Sequence, residues 1–254
     1  MLEALLPAEV FVILLVFCRI GAAAISLPTV GEAFISPRIR LFLIITISVI
    51  LAPVVEDKLP RMPDALLSFV LLIFTEIFIG IFIGVMMRII FTALATAGTI
   101  IAFLTGFSNA QLFNPLLSDQ GSLHAVLLSL LGMMMVFVTD LHHLLFLALA
   151  DSYSIFQPGV LPMIGDMADS VTRSVAKSFE MGFSLAAPFV VIGLIYNVLL
   201  GLMARLMPQF QVFFVAMPLQ ITLGLAVLFI VLPALMLWFL NYYEETVANF
   251  LFIR

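Results

Sequence analysis

The chain has 254 residues, of which 64% are hydrophobic and only 10% charged, with 25 phenylalanines and a mean hydropathy of +1.29. Soluble domains are about 45 to 50% apolar and about 25% charged, so this composition excludes a water-soluble globular protein and points to an integral membrane protein. The net charge of −5 is scattered in small clusters, which excludes a basic face for nucleic acid or a polybasic patch for anionic lipid. The single cysteine, Cys18, cannot form an internal disulfide and reads as a small buried hydrophobe.

The start, MLEALLPAEVFV, carries Glu3 and Glu9 in place of a basic leader, so the first apolar segment is expected to stay in the protein. Apolar segments follow at about Val10–Leu27, Ile39–Val55, Ala65–Met87, Ile89–Phe107, Leu123–Ala150, Phe179–Met207 and Phe210–Tyr242, six or seven in all. The second has 15 uncharged residues between Arg40 and Glu56, about 22 Å of helix and short for an independent span. The third and fourth are separated only by Arg88, and the block is expected to turn within the membrane or protrude as a long hairpin. Residues Ile35–Arg40, Glu56–Asp64 and Asp151–Lys177 read as water-exposed linkers. The expected fold is all-α, a polytopic membrane protein of long helical hairpins forming one membrane domain over residues 1–254.

Charges inside apolar segments are few: Arg19, Glu76, Arg88 and Arg205. Each costs about 2.5 to 3.5 kcal/mol at a lipid-facing helix centre, so each needs water or a partner. Glu76 and Arg88 lie 12 residues apart, about 18 Å and 120° around one helix, and their partners must come from other helices or subunits. Gly80 and Gly84, in GIFIG, have the spacing that lets two membrane helices approach closely.

The catalytic search is short. His124, Asp140, His142 and His143 are the candidates for a metal or acid/base site, and the adjacent histidines lack the i, i+4 spacing of a helical zinc pair. They read as a polar helix end. With no nucleophile elbow or phosphate-binding loop either, no enzyme activity, metal or cofactor is expected.

Two segments stand apart. The stretch GFSNAQLFNPLLSDQGS, Gly106–Ser122, is uncharged until Asp119 and alternates amides and hydroxyls with bulky apolar residues. At membrane depth such irregular backbone survives only when buried in protein or lining a wet cavity. It reads as a plug or re-entrant segment, with a compact interfacial loop as the alternative. The other segment is the charge-free run of 38 residues between Arg205 and Glu244. As one helix it would reach roughly 57 Å, against a hydrocarbon core of ~30 Å, so it must break, and LMPQFQ marks the place. The expected result is a C-terminal hairpin over about 179–242.

Around that corner, NVLLGLMARLMPQFQVFFVAMPLQITLGL resembles the signature of the FliR/SctT family of type III secretion export gates. Asn197, Gly201, Arg205, Pro208, Gln209, Phe213, Pro218 and Gly224 stand at the family's spacing. Further similarity covers nearly the whole chain, through Arg19, Pro28, Pro37–Arg40, Pro53, Gly80, Gly84, the GFSNAQLFNP loop and His142. The resemblance implies a subunit of the bacterial inner membrane, in the flagellar basal body. There it would assemble with FliP-like and FliQ-like subunits and with FlhB-like and FlhA-like export components to pass unfolded protein substrates. It further implies that residues 106–122 are the pore plug, with Phe107, Asn109, Gln111, Leu112, Phe113, Asn114 and Pro115 among its residues. Members of the family commonly carry an aspartate before the plug proline and aromatic residues in the loop; this chain has Asn114, Asn109 and Leu112, while Phe107 and Phe113 keep bulk. The homologous injectisome subunit is the nearest alternative. A secondary transporter for a small solute would need paired broken helices in two halves, and only one such corner is visible.

Overall fold

Each helix begins or ends where the sequence places a breaker or a cap. The computed structural model describes residues 8–28, 30–32, 34–107, 122–160, 162–207 and 212–251. Among them the order is α1 (Ala8–Ser26), α2 (Pro37–Val55), a short 3-10 turn (Glu56–Lys58), α3 (Leu66–Leu104), α4 (Leu123–Val138), α5 (His142–Ile155), α6 (Ile164–Leu206) and α7 (Val212–Leu251). Helix α2 starts at a proline preceded by Ser36, whose hydroxyl accepts the Ile39 amide at 3.4 Å. It runs into the 3-10 turn at Glu56, where the expected charged linker begins. No strand occurs among the described residues, and the all-α expectation holds.

Among the described residues five helices are long and apolar enough to cross a membrane, or six spans if α4 and α5 together make a broken one. Three details differ from the sequence reading. The block around Arg88 does not turn: α3 is continuous for 39 residues, about 58 Å, because nothing in GVMMRIIFTALATAG breaks a helix and one exposed arginine on a long side chain is tolerated. The linker expected at Asp151–Lys177 is largely helical as well. From Ile164 onward Met167, Val171, Ser174 and Ser178 recur at helical spacing as the buried or half-buried face, while Asp166, Asp169, Arg173, Lys177 and Glu180 are exposed. Those charges are the solvated side of an amphipathic helix, which mean polarity cannot distinguish from a loop. The C-terminal pair therefore extends beyond 179–242, to Ile164 and Leu251. Its break falls where expected, between Leu206 and Val212; Pro208 and Gln209 lie outside the described residues.

The chain divides into two compact units, one of Met1–Ile90, Thr139–Val175 and Glu244–Arg254, the other of Phe91–Val138 and Ala176–Tyr243. In the first, Val16, Ile20 and Ala24 of α1 pack with Ile44, Ala52 and Val55 of α2 and Tyr153 of α5. Gly80 and Gly84 bring α3 against the backbone of α1. A Cβ on Gly84 would lie 2.5 Å from the Ala23 carbonyl oxygen, and one on Gly80 would be 2.8 Å from the Ala22 Cβ, so the GIFIG spacing packs helices within the chain. In the second unit Phe91 sits edge-on to Phe239 at 5.5 Å and to Tyr243 at 5.8 Å. Large apolar side chains nonetheless remain outside both cores, among them Phe42, Ile50, Leu194 and Val198.

Candidate functional site

The loop read as a plug leaves α3 through a short built turn. Thr105 is buried and turns its hydroxyl back to the Ile101 carbonyl at 2.8 Å, which satisfies that polar group inside apolar surroundings. Gly106 follows with φ +78°, the left-handed conformation that ends helices and that a Cβ would penalise. Its amide donates to the Phe103 carbonyl at 3.3 Å. From α7, the Gln220 amide nitrogen donates to the Leu104 carbonyl at 2.8 Å, one of the helix-end acceptors without an intrahelical donor. Gly224, one turn further along α7, lies against Thr105: a Cβ there would meet the threonine Cβ at 2.6 Å. From α6, a Cβ on Gly193 would touch the Leu104 side chain at 3.1 Å.

The far end of the loop is fastened to the same helix. Ser122 accepts the Ala125 amide at 3.4 Å, starting α4, and donates to the Gly98 carbonyl at 3.2 Å. Phe107 stands edge-on to the His124 ring, with centroids 4.7 Å apart at 69°. Both ends of segment 108–121 are thus held on the last two turns of α3 by uncharged contacts. Of the seven residues named for the plug, Phe107 is described and half-buried; Asn109, Gln111, Leu112, Phe113, Asn114 and Pro115 lie outside the described residues.

The signature residues distribute along α6 and α7. Asn197 is exposed and donates to the Gly193 carbonyl at 2.8 Å, one turn back. Gly201 has no atom within 4 Å of where a Cβ would stand, and Arg205 is exposed in the last turn of α6, where a cation favours the helix dipole. Pro218 is exposed within α7 and Gly224 is buried. Phe213 lies in α7, with its side chain outside the described set. Across the corner, the Tyr196 hydroxyl donates to the Ala216 carbonyl and ties the two helices.

The intramembrane charges resolve differently. Arg19 and Glu76, both fully buried, form a bidentate pair: Nε to Oε2 at 2.6 Å and Nη2 to Oε1 at 3.0 Å. The remaining guanidinium donors reach the Ser152 hydroxyl at 3.2 Å and the Phe156 carbonyl at 3.1 Å, and the Tyr153 ring lies 3.9 Å from Cζ. The Ser152 hydroxyl itself donates to the Leu149 carbonyl at 2.7 Å. Glu76 therefore finds its partner on another helix of the same chain, while Arg88 is exposed on α3. The partnership of Arg19 with Glu76, 57 residues apart, has no local sequence signal. Thr105 and Gln220 also escaped notice as loop anchors, although a threonine before a helix-ending glycine is a readable pattern.

The sequence profile of the bacterial export proteins, family 1, matches residues 10–246. The chain belongs to this family. Among similar family members, the flagellar biosynthetic protein FliR of Caulobacter vibrioides is 38% identical over 242 residues, covering 95% of this chain and 96% of that protein. The FliR proteins of Bacillus subtilis and Aquifex aeolicus are 28% and 27% identical, over 93% and 92% of this chain and 92% and 90% of their own lengths. The family match spans both the Arg19–Glu76 network and the loop root.

Proposed function

We propose that this protein is a membrane-embedded subunit of a flagellar protein export apparatus, that it lines the passage for unfolded flagellar proteins, and that residues 106–122 close that passage. The observation that carries the reading is the near full-length similarity to a flagellar biosynthetic protein, 38% identity over 95% of the chain. The plug assignment draws on the loop itself. Its ends are fixed by the Gln220–Leu104 and Ser122–Gly98 contacts, which root both flanks of the segment on α3. Uncharged amides suit a wet passage, whereas charges would trap a passing chain.

The protein supplies a passage and its closure, and the free energy for export comes from elsewhere in the apparatus. Only 22% of the apolar windows of α2 and α6 is buried within the chain, which supports association with FliP-like and FliQ-like subunits in the cytoplasmic membrane, next to FlhB-like and FlhA-like components. Deleting the gene should abolish motility and flagellar filaments, and a plasmid copy should restore them. A motile deletion strain would overturn the assignment. Removing residues 108–121 from the assembled complex should raise ion leakage across the membrane; unchanged leakage would remove the plug role while leaving the export assignment intact.

A further inference from the structure

We propose that Asp140, His142 and His143 bind a divalent transition-metal ion, zinc above all, at the start of α5. The sequence separates the two histidines by about 100° on an ideal helix, but the chain here is just entering one. Asp140 takes φ +58°, a left-handed conformation uncommon for a residue with a side chain, and this turns the backbone immediately before α5. The two imidazole centroids then stand 4.2 Å apart with planes 33° from parallel. One donor atom from each of the three residues lies within 4.8 Å of the other two.

The hydrogen bond to His143 adds an independent argument. Its Nδ1 is 3.1 Å from the Asp140 carbonyl oxygen, and a carbonyl can only accept, so the proton sits on Nδ1 and Nε2 keeps its lone pair for a metal. Metal-binding histidines usually have this support, a backbone carbonyl holding the far ring nitrogen. The His142 ring is braced edge-on by Phe146 at 6.3 Å. In a tetrahedral zinc site with bonds of about 2.0 to 2.2 Å, ligand atoms stand roughly 3.3 to 3.5 Å apart. Closing from 4.8 Å requires up to about 1.5 Å of approach, which falls to the exposed Asp140 and His143 side chains, not to the half-buried His142.

Two imidazoles and one carboxylate suit zinc, copper(II) or nickel, whereas magnesium and calcium prefer oxygen ligands. The positive end of α5 opposes a cation, and the Asp140 carboxylate offsets it. Water would complete the coordination. The bound ion would tie the residue that turns the chain to the first two residues of the helix, and so hold the start of α5.

The full-length protein, purified in detergent, treated with chelator and exchanged into chelator-free buffer, should bind one zinc ion saturably in a calorimetric titration. Cobalt(II) should give the visible absorption of a low-coordinate site. The exposed substitutions Asp140→Asn and His143→Gln should each weaken zinc binding about tenfold or more. His124→Gln, the remaining histidine, should not change it. Retained helicity by circular dichroism separates ligand loss from unfolding. Non-saturable binding, or zinc affinity within twofold of the unsubstituted protein in both ligand variants when they are folded, would overturn the site.

Discussion

The Arg19 network and the root of the 106–122 loop solve the same problem with opposite chemistry. Each fixes helices against one another where water gives no hydrophobic reason to associate. Around Arg19 the device is charge: a bidentate ion pair buried between α1 and α3, with Ser152 and the Phe156 carbonyl taking further donors. At the loop root the device is close backbone approach and neutral hydrogen bonds, through Gly193, Gly224, Gln220 and Thr105. A buried charge is intolerant of losing its partner, whereas a neutral contact can be broken and remade at small cost. Permanent architecture is well served by the first. A closure that has to open, the role proposed for the loop, is better served by the second.

The sharpest way to break the contrast is to remove one charge. Glu76→Leu leaves a guanidinium buried with only neutral partners, and Arg19→Met leaves a buried carboxylate. Each is expected to destabilise the protein by about 3 to 5 kcal/mol. The measurement is the steady-state amount of protein in membranes, together with its melting temperature in detergent. The double variant Arg19→Met/Glu76→Leu should recover most of the loss, because an apolar pair of similar volume carries no desolvation cost. A double variant as depleted as either single one would mean that the pair supplies geometry that apolar packing cannot replace.

Next in size is the glycine contact that lets the pair meet. Gly84→Ile places a branched side chain where a Cβ alone already comes within 2.5 Å of the Ala23 carbonyl, and should cost about 1 to 3 kcal/mol by overpacking. The same readout applies. A normal melting temperature in this variant would show that α1 moves away from α3 at Gly84 without penalty.

These residues also mark what the sequence could disclose. GIFIG was legible because small-residue spacing is a local property of one helix. The break near Pro208 was legible because an uncharged run of 38 residues cannot span a membrane in one piece. The continuity of α3 through Arg88 was misread, since an isolated arginine in apolar sequence looks like a turn when its side chain's exposure is unknown. Glu76 announced a need for a partner but not its address, because pairing across 57 residues is decided by tertiary packing. The loop drew attention through composition, while its anchors, Thr105 and Gln220, are ordinary residues until the helices are placed.

At the loop itself, Gly106→Ala tests the turn. Its φ of +78° places a Cβ in the disfavoured left-handed region at a cost of roughly 1 to 2 kcal/mol, and the added carbon would meet the Gln220 amide at 3.3 Å. Strain this close to the anchor should weaken closure more than it weakens the fold. Ion leakage through the assembled complex should therefore rise in a variant that still accumulates well. If leakage stays at the level of the unsubstituted protein while accumulation drops, the turn serves folding alone and the distinction between fixed and releasable regions loses its footing there.

The smallest expected change in stability is the most informative about function. Gln220→Leu removes the donor to the Leu104 carbonyl, and interhelical hydrogen bonds in membranes average only about 0.6 kcal/mol, with a maximum near 1.7. The melting temperature should hardly move. The freed carbonyl lies at the end of α3, one residue before the buried threonine that leads into the loop, so the same small change falls where the segment is fastened. A difference of 0.6 kcal/mol shifts a two-state equilibrium by a factor of nearly three at room temperature, which is small against folding but large for a closure balanced between shut and open. Leakage from complexes carrying Gln220→Leu should rise by about that factor. An unchanged leak would leave Gln220 as packing between α7 and α3.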